Sequence, residues 1–152
     1  MAYPWAPATA DVARLIADRV LDATDTPQAD FGAGTIPTAA QVDALITPIT
    51  EEVHADAGDI PTDPVDLTPL ARFVAAQGVA AWILNSWFSE DPQGPELQKT
   101  YEANRDRLAK AVLQVAESGA VGEGDEIALP VYGFPSTDNN PATPITTWLT
   151  NF

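Results

Sequence analysis

The stretch that decides the fold is TPLARFVAAQGVAAWILNSWF, residues 68–88. Leu70, Phe73, Val74, Val79, Trp82, Ile83, Leu84, Trp87 and Phe88 carry it, with alanines between them. Apolar residues fall on nearly every side of a helix drawn through it, and a helix without a polar face is buried all round. Thr68-Pro69 opens it, with threonine as cap and proline at the first helical position, where its missing N–H matters least. Gly78 gives up about 1 kcal/mol of helix propensity against alanine, a loss that close approach by a neighbour would justify. The rest of the chain must cover this segment.

Working toward the C-terminus, Ser-Glu-Asp-Pro-Gln-Gly at residues 89–94 makes a short turn. Pro95 suits the first position of a fourth helix and Glu96 its first turn. Leu97, Tyr101, Leu108, Val112 and Val115 trace its apolar stripe, and Gly119 ends it. So short a turn makes the third and fourth helices an antiparallel hairpin. Glu102–Arg105 and Asp106–Lys110 are spaced for pairing along the helix, at about 0.2–0.5 kcal/mol each.

Toward the N-terminus, Thr38 followed by Gln41 forms a capping box. Val42, Leu45, Ile46, Ile49 and Val53 then keep helical spacing until Gly58. Pro48 interrupts that second helix and is expected to kink it near residues 44–47. A first helix is expected from about Ala10 to Ala23, capped by Thr9, with Asp11 in its first turn and Val12, Leu15, Ile16 and Val20 on one face. Residues 24–37 read as a loop pinned by Phe31, and residues 59–67 as a proline-rich connection. Pro4 and Pro7 block helix in residues 1–8, an extended arm carrying Tyr3 and Trp5. Beyond Lys110 the chain has no basic residue, and residues 120–152 are rich in proline and glycine. Residues 127–132 and 145–149 read there as short strands or extended straps. The expected fold is all-α: a four-helix domain over residues 9–119, an N-terminal arm over 1–8 and an extended tail over 120–152.

The 152 residues suffice for one domain. Hydrophobic residues make up 45 %, enough for a core. Proline, at 14 residues, exceeds the usual share of about 5 %. Acidic residues number 22 against 7 basic, a formal charge of −15 with the single histidine neutral. Seven basic residues make no broad phosphate-binding face, so specific binding to nucleic acid or to an anionic membrane is not expected. The N-terminus has no basic start and no apolar run of a signal peptide, and a soluble protein is expected. Absence of cysteine excludes a disulfide scaffold, a zinc ribbon, an iron–sulfur site and a thiol nucleophile.

Carboxylate pairs such as Glu51–Glu52 and Asp63–Asp66 are read as solvated surface charge. His54, near Glu51, Asp56 and Asp59, lacks the further His or Cys ligands that zinc prefers and is read as an ordinary surface or interface histidine. The spacing after Asp56 or Asp59 does not match a calcium loop, and no phosphate-binding, nucleophile-elbow or dinucleotide fingerprint is present. No catalytic, cofactor or metal site is therefore expected, and no enzyme. Trp82, Trp87 and Phe88 are read as core. Tyr3, Trp5, Tyr132, Phe134, Trp148 and Phe152 lie in the arm and tail, and either fold back on their own body or anchor the chain to another. The second is the expectation, since aromatic side chains are strong interface anchors.

The layout resembles the head-to-tail connector, or adaptor, proteins of long-tailed bacteriophages, those infecting actinobacteria in particular. Thr9, Val12 and Leu15 of the early helix carry the resemblance, as do Thr38, Gln41 and Val42 of the second. Leu-Ala-Arg-Phe-Val-Ala-Ala from residue 70, the turn from Glu90, Tyr-Glu-Ala-Asn-Arg-Asp-Arg-Leu from residue 101 and Val-Tyr-Gly-Phe-Pro from residue 131 complete it. It implies a virion structural protein assembled in the host cytoplasm. It also implies a homo-oligomeric ring, usually of twelve subunits, between the portal protein and the tail or its stopper or terminator protein. DNA passes through such a ring without specific binding, and no membrane or cofactor is involved. Three readings of the residues agree with it: an all-apolar helix wants more cover than four short helices supply, aromatic ends suit contacts between neighbours, and acidic protein surrounds DNA without sticking to it. The alternative is an acidic DNA mimic or inhibitor that binds a basic partner.

Overall fold

The computed structural model describes residues 3–120, with side chains through Ser118. Along them run α1 (Thr9–Leu15), a 3₁₀ turn (Ala17–Arg19), β1 (Leu21–Asp22), β2 (Thr35–Ile36), α2 (Ala39–Ala57), α3 (Thr68–Trp87) and α4 (Gln93–Ala120). The domain is all-α, four helices and one two-residue antiparallel ribbon in which Leu21 faces Ile36 and Asp22 faces Thr35.

Helix α3 is the axis of the molecule. Eleven of its residues are buried, from Ala71 to Leu84. One apolar cluster joins its C-terminal half (Ala76, Val79, Ala80, Ile83, Leu84) to Val12, Ile16, Val20, Phe31, Val42 and Ile46. Phe31 thus pins the loop it sits in. A second cluster joins its N-terminal half (Ala71, Val74, Ala75) to Trp5, Val53, Leu67, Tyr101, Leu108 and Val115. Two halves of one helix therefore serve two cores.

The α3–α4 hairpin forms as expected. Gly94 lies beside Leu84 and Asn85, and Gly78 lies beside Tyr101 and Ile49. One buried hydrogen bond runs between them: Asn104 Nδ2 donates to Gln77 Oε1 at 2.8 Å. These pairs fall in antiparallel register. A methyl group at Gly78 would come within 2.8 Å of both Ile49 and the Tyr101 ring, so the glycine is what lets three helices meet there. The Gln77–Asn104 pair escaped the sequence reading. Its signal was present, since Gln77 sits inside an apolar helix and Asn104 on the stripe between Tyr101 and Leu108.

Helix ends follow local chemistry, with several corrections. For α2 the capping box holds: the Gln41 N–H donates to Thr38 Oγ1 at 3.4 Å and the Thr38 N–H donates to Gln41 Oε1 at 2.9 Å. Gly58 closes that helix with φ +77, its N–H donating to the His54 carbonyl at 2.7 Å. Pro48 lies within α2, which continues on both sides of it. Thr68 is the first residue of α3 and not its cap; the Asp66 carboxylate accepts from its N–H at 2.9 Å and from its hydroxyl at 2.6 Å. Pro95 is the third residue of α4, because Asp91 takes the capping role, accepting the Gln93 N–H at 2.9 Å.

The first helix is shorter than expected. Ala8 stands at its cap position and donates its N–H to Asp11 Oδ2 at 2.9 Å, and the helix ends at Leu15. Downstream, Asp22 draws the chain into a turn by accepting from the N–H groups of Thr24 and Thr26 and from the Thr24 hydroxyl. Those bonds, the Thr24 hydroxyl foremost, hold its carboxyl below the usual range. Such local side-chain bonds compete with helix, and here they replace its expected last turns with the ribbon.

Candidate functional site

The described surface divides into an apolar end and an acidic flank. At the apolar end, α3 runs out into the turn to α4. Trp82 is 42 % exposed and stands edge-on to Trp87, ring centroids 5.3 Å apart. Trp82 is thus not core, contrary to the sequence reading. Three helices pack against α3, and Trp82 falls on the side they leave open, as do Arg72, Asn85 and Ser86. Trp87 and Phe88 are half-buried.

A groove of about 580 Å³ continues from Trp87 and Phe88 to Leu21 and Arg19. Ile36, 52 % exposed, stands opposite Leu21 in the ribbon. Directly paired strand residues share one face, so Ile36 extends the same apolar surface. Arg19 ties this end together: its Nε donates to Asp91 Oδ2 at 2.6 Å, joining the 3₁₀ turn to the hairpin turn. The Gln93 N–H and then Arg19 hold the Asp91 carboxyl below the usual carboxylate range.

The acidic flank is built by the first half of the chain. Residues 1–66 hold twelve acidic and two basic side chains, residues 67–120 six and five. The outer side of α2 shows Asp43, Glu51, Glu52 and Asp56 to solvent. Arg105 of α4 does not pair along its own helix with Glu102 as the spacing suggested. It reaches across to Glu52 and to Asp56, the latter at 2.8 Å, and its guanidinium lies 5.3 Å from the Tyr101 ring centre. Glu102 accepts instead from Gln98 at 2.9 Å.

The expected anchors meet different fates. Trp5 is 3 % exposed and belongs to its own chain's core, so its ring is not free to dock elsewhere. The segment around it is a turn and not an extended arm: the Ala6 N–H donates to the Tyr3 carbonyl at 3.0 Å, and Arg72 donates to the Pro4 carbonyl at 3.5 Å. Tyr3 is half-buried, its ring 5.3 Å from Trp5 and 4.7 Å from His54. Tyr132, Phe134, Trp148 and Phe152 lie outside the described residues. His54 faces Asp59 at 3.9 Å, and among the described residues no three His, Asp or Glu side chains gather into a metal-binding group. No described helix is long and apolar enough to cross a membrane.

Set against known protein families, curated proteins and solved structures, the chain matches none.

Proposed function

We propose that this chain is a virion structural protein, a head-to-tail adaptor whose copies form a ring between the portal and the tail around the DNA channel. Its work is mechanical and not catalytic. The observation that carries this reading is the division of the surface. Exposed tryptophan and isoleucine at the hairpin end supply a surface for protein contacts, since large aromatic side chains dominate interface energetics. The acidic α1–α2 half supplies one that DNA slides past, because like charges keep the duplex from adhering. Portal protein meets one side of the ring and the tail or its stopper or terminator protein the other. The subunits assemble in the host cytoplasm and end in the particle.

Immunogold labelling tests this. An antibody raised against the chain is expected to mark the junction of head and tail in the tailed particles that encode it. Absence of label from purified particles overturns the proposal. The acidic excess of residues 1–66 favours one other reading, an inhibitor that occupies a basic nucleic-acid-binding protein. That reading requires a one-to-one complex that dissolves as salt is raised, because a complex held by charge is screened.

A further inference from the structure

Three large apolar side chains stand out among the described residues: Ile36, Trp82 and Leu113, the last 61 % exposed. Ile36 and Trp82 belong to the hairpin end. Leu113 stands on the outer side of α4, twenty residues beyond the first residue of that helix. At the helical rise per residue this places it about 30 Å away, toward the opposite end of the molecule.

We propose that these two surfaces are the two halves of one contact between copies of this chain. The Leu113 side of one protomer's α4 seats on the Trp82–Trp87 end of the next. The inference rests on the ring reading above and specifies its subunit contact.

Geometry is the first argument. Surfaces about 30 Å apart on one rigid body cannot satisfy each other within that body. A contact between unlike surfaces repeats head to tail and closes into a ring where the rotation permits.

Charge is the second argument. Asp18, Glu90 and Asp91 border the aromatic end against Arg19 alone, which already serves Asp91. Two such ends facing each other would oppose acid with acid, which disfavours a symmetric pair. Residues 121–152 hold four acidic and no basic side chains, so they meet the same repulsion there. On Leu113's side of α4 the exposed charges are few: Lys110 against Asp106 and Glu117, with Arg107 about a third of a turn round the helix. On a chain of charge −15, that side belongs to the nearly balanced half, so an acidic rim is repelled less there than on the α1–α2 half, and Lys110 stands one helical turn from Leu113.

Light scattering on the full chain, across a dilution series, tests the contact. Wild type is expected to assemble, and more tightly as salt shortens the screening length from about 10 Å to about 3 Å and relieves the repulsion between copies. Trp82→Glu and Leu113→Glu should each weaken assembly by at least about tenfold, with unchanged far-ultraviolet circular dichroism. Should Trp82→Glu lose helix, Trp82→Gln and Ile36→Glu carry the same measurement. The decisive sample mixes the two single variants: each retains one good half, so they should pair one to one and grow no further. Leu113→Glu assembling like wild type, or a mixture that stays monomeric, overturns the contact while leaving the ring reading standing. Wild type that remains monomeric at every concentration and salt overturns the contact and removes support from the ring as well.

Discussion

Tyr101 brings a hydroxyl into the interior, 3 % exposed, beside the Arg105 and Glu52 side chains. Burial pushes its phenol up to about 12 from an ordinary 10.0, with Arg105 and Glu52 acting on it as secondary influences of opposite sign. The folded state thus favours the neutral ring. Stability from this group is complete below pH 10.0 and falls as pH rises toward about 12, because the unfolded chain releases the proton first. Tyr101→Phe removes the buried hydroxyl together with its interactions with Arg105 and Glu52, so stability at neutral pH should change by no more than about 1.5 kcal/mol. It should also flatten the decline above pH 10. Urea midpoints measured from pH 8 to pH 12 check both; a variant that falls as steeply as wild type removes Tyr101 as the cause. The apolar stripe containing Tyr101 was legible from spacing alone. The surroundings of its hydroxyl were not, because they depend on side chains such as Glu52 that are distant in sequence.

At the scale of elements, the hairpin rests on one close approach. Gly78 admits Tyr101 from α4 and Ile49 from α2. Alanine there returns about 1 kcal/mol of helix propensity but forces an overpacked site, at about 1–3 kcal/mol. A net loss is expected, visible as a lower urea midpoint with an unchanged slope. An increase in midpoint would mean that the three helices can part at no cost. The third helix and the hairpin were legible because apolar coverage and a six-residue turn are local signals. The early part of the chain was harder. A stripe of Val12, Leu15, Ile16 and Val20 fits a long helix, yet Asp22 binds backbone N–H groups two and four residues ahead and folds the chain into a ribbon instead. Aspartate and threonine so close together are the signal that would have found it. For Trp82 the error was of another kind. An all-apolar sequence does not say which side neighbours leave bare, and only the placement of α1, α2 and α4 decides that.

For the whole molecule, each core cluster draws on its own half of α3, and the described helices already bury two apolar cores between them. A chain ending at Ala120 is therefore expected to fold, with the helical circular dichroism of residues 9–120. It is not expected to enter particles, if the aromatic residues Tyr132, Phe134, Trp148 and Phe152 anchor the chain to its neighbours. Incorporation of that truncated chain at the wild-type level would remove the tail from the assembly mechanism. The acidic balance that separates the two halves of the surface was legible in composition, but its segregation was visible only once α2 turned Asp43 and Glu51 outward. Of the candidate site, spacing supplied the residues and packing chose among them: Trp5 went inside, Trp82 outside.

Because one helix is the shared wall of two chambers, the molecule tolerates error unevenly. Inserting a single residue midway along α3 would turn everything beyond it by about 100°, swinging one chamber's side chains out of place relative to the other's. The same insertion near Gly32 or Gly34, where added side chains meet open space, would be absorbed in the loop. Drift among descendants of this gene should accordingly be nearly frozen along the central helix and freest in the loop around Gly32 and Gly34.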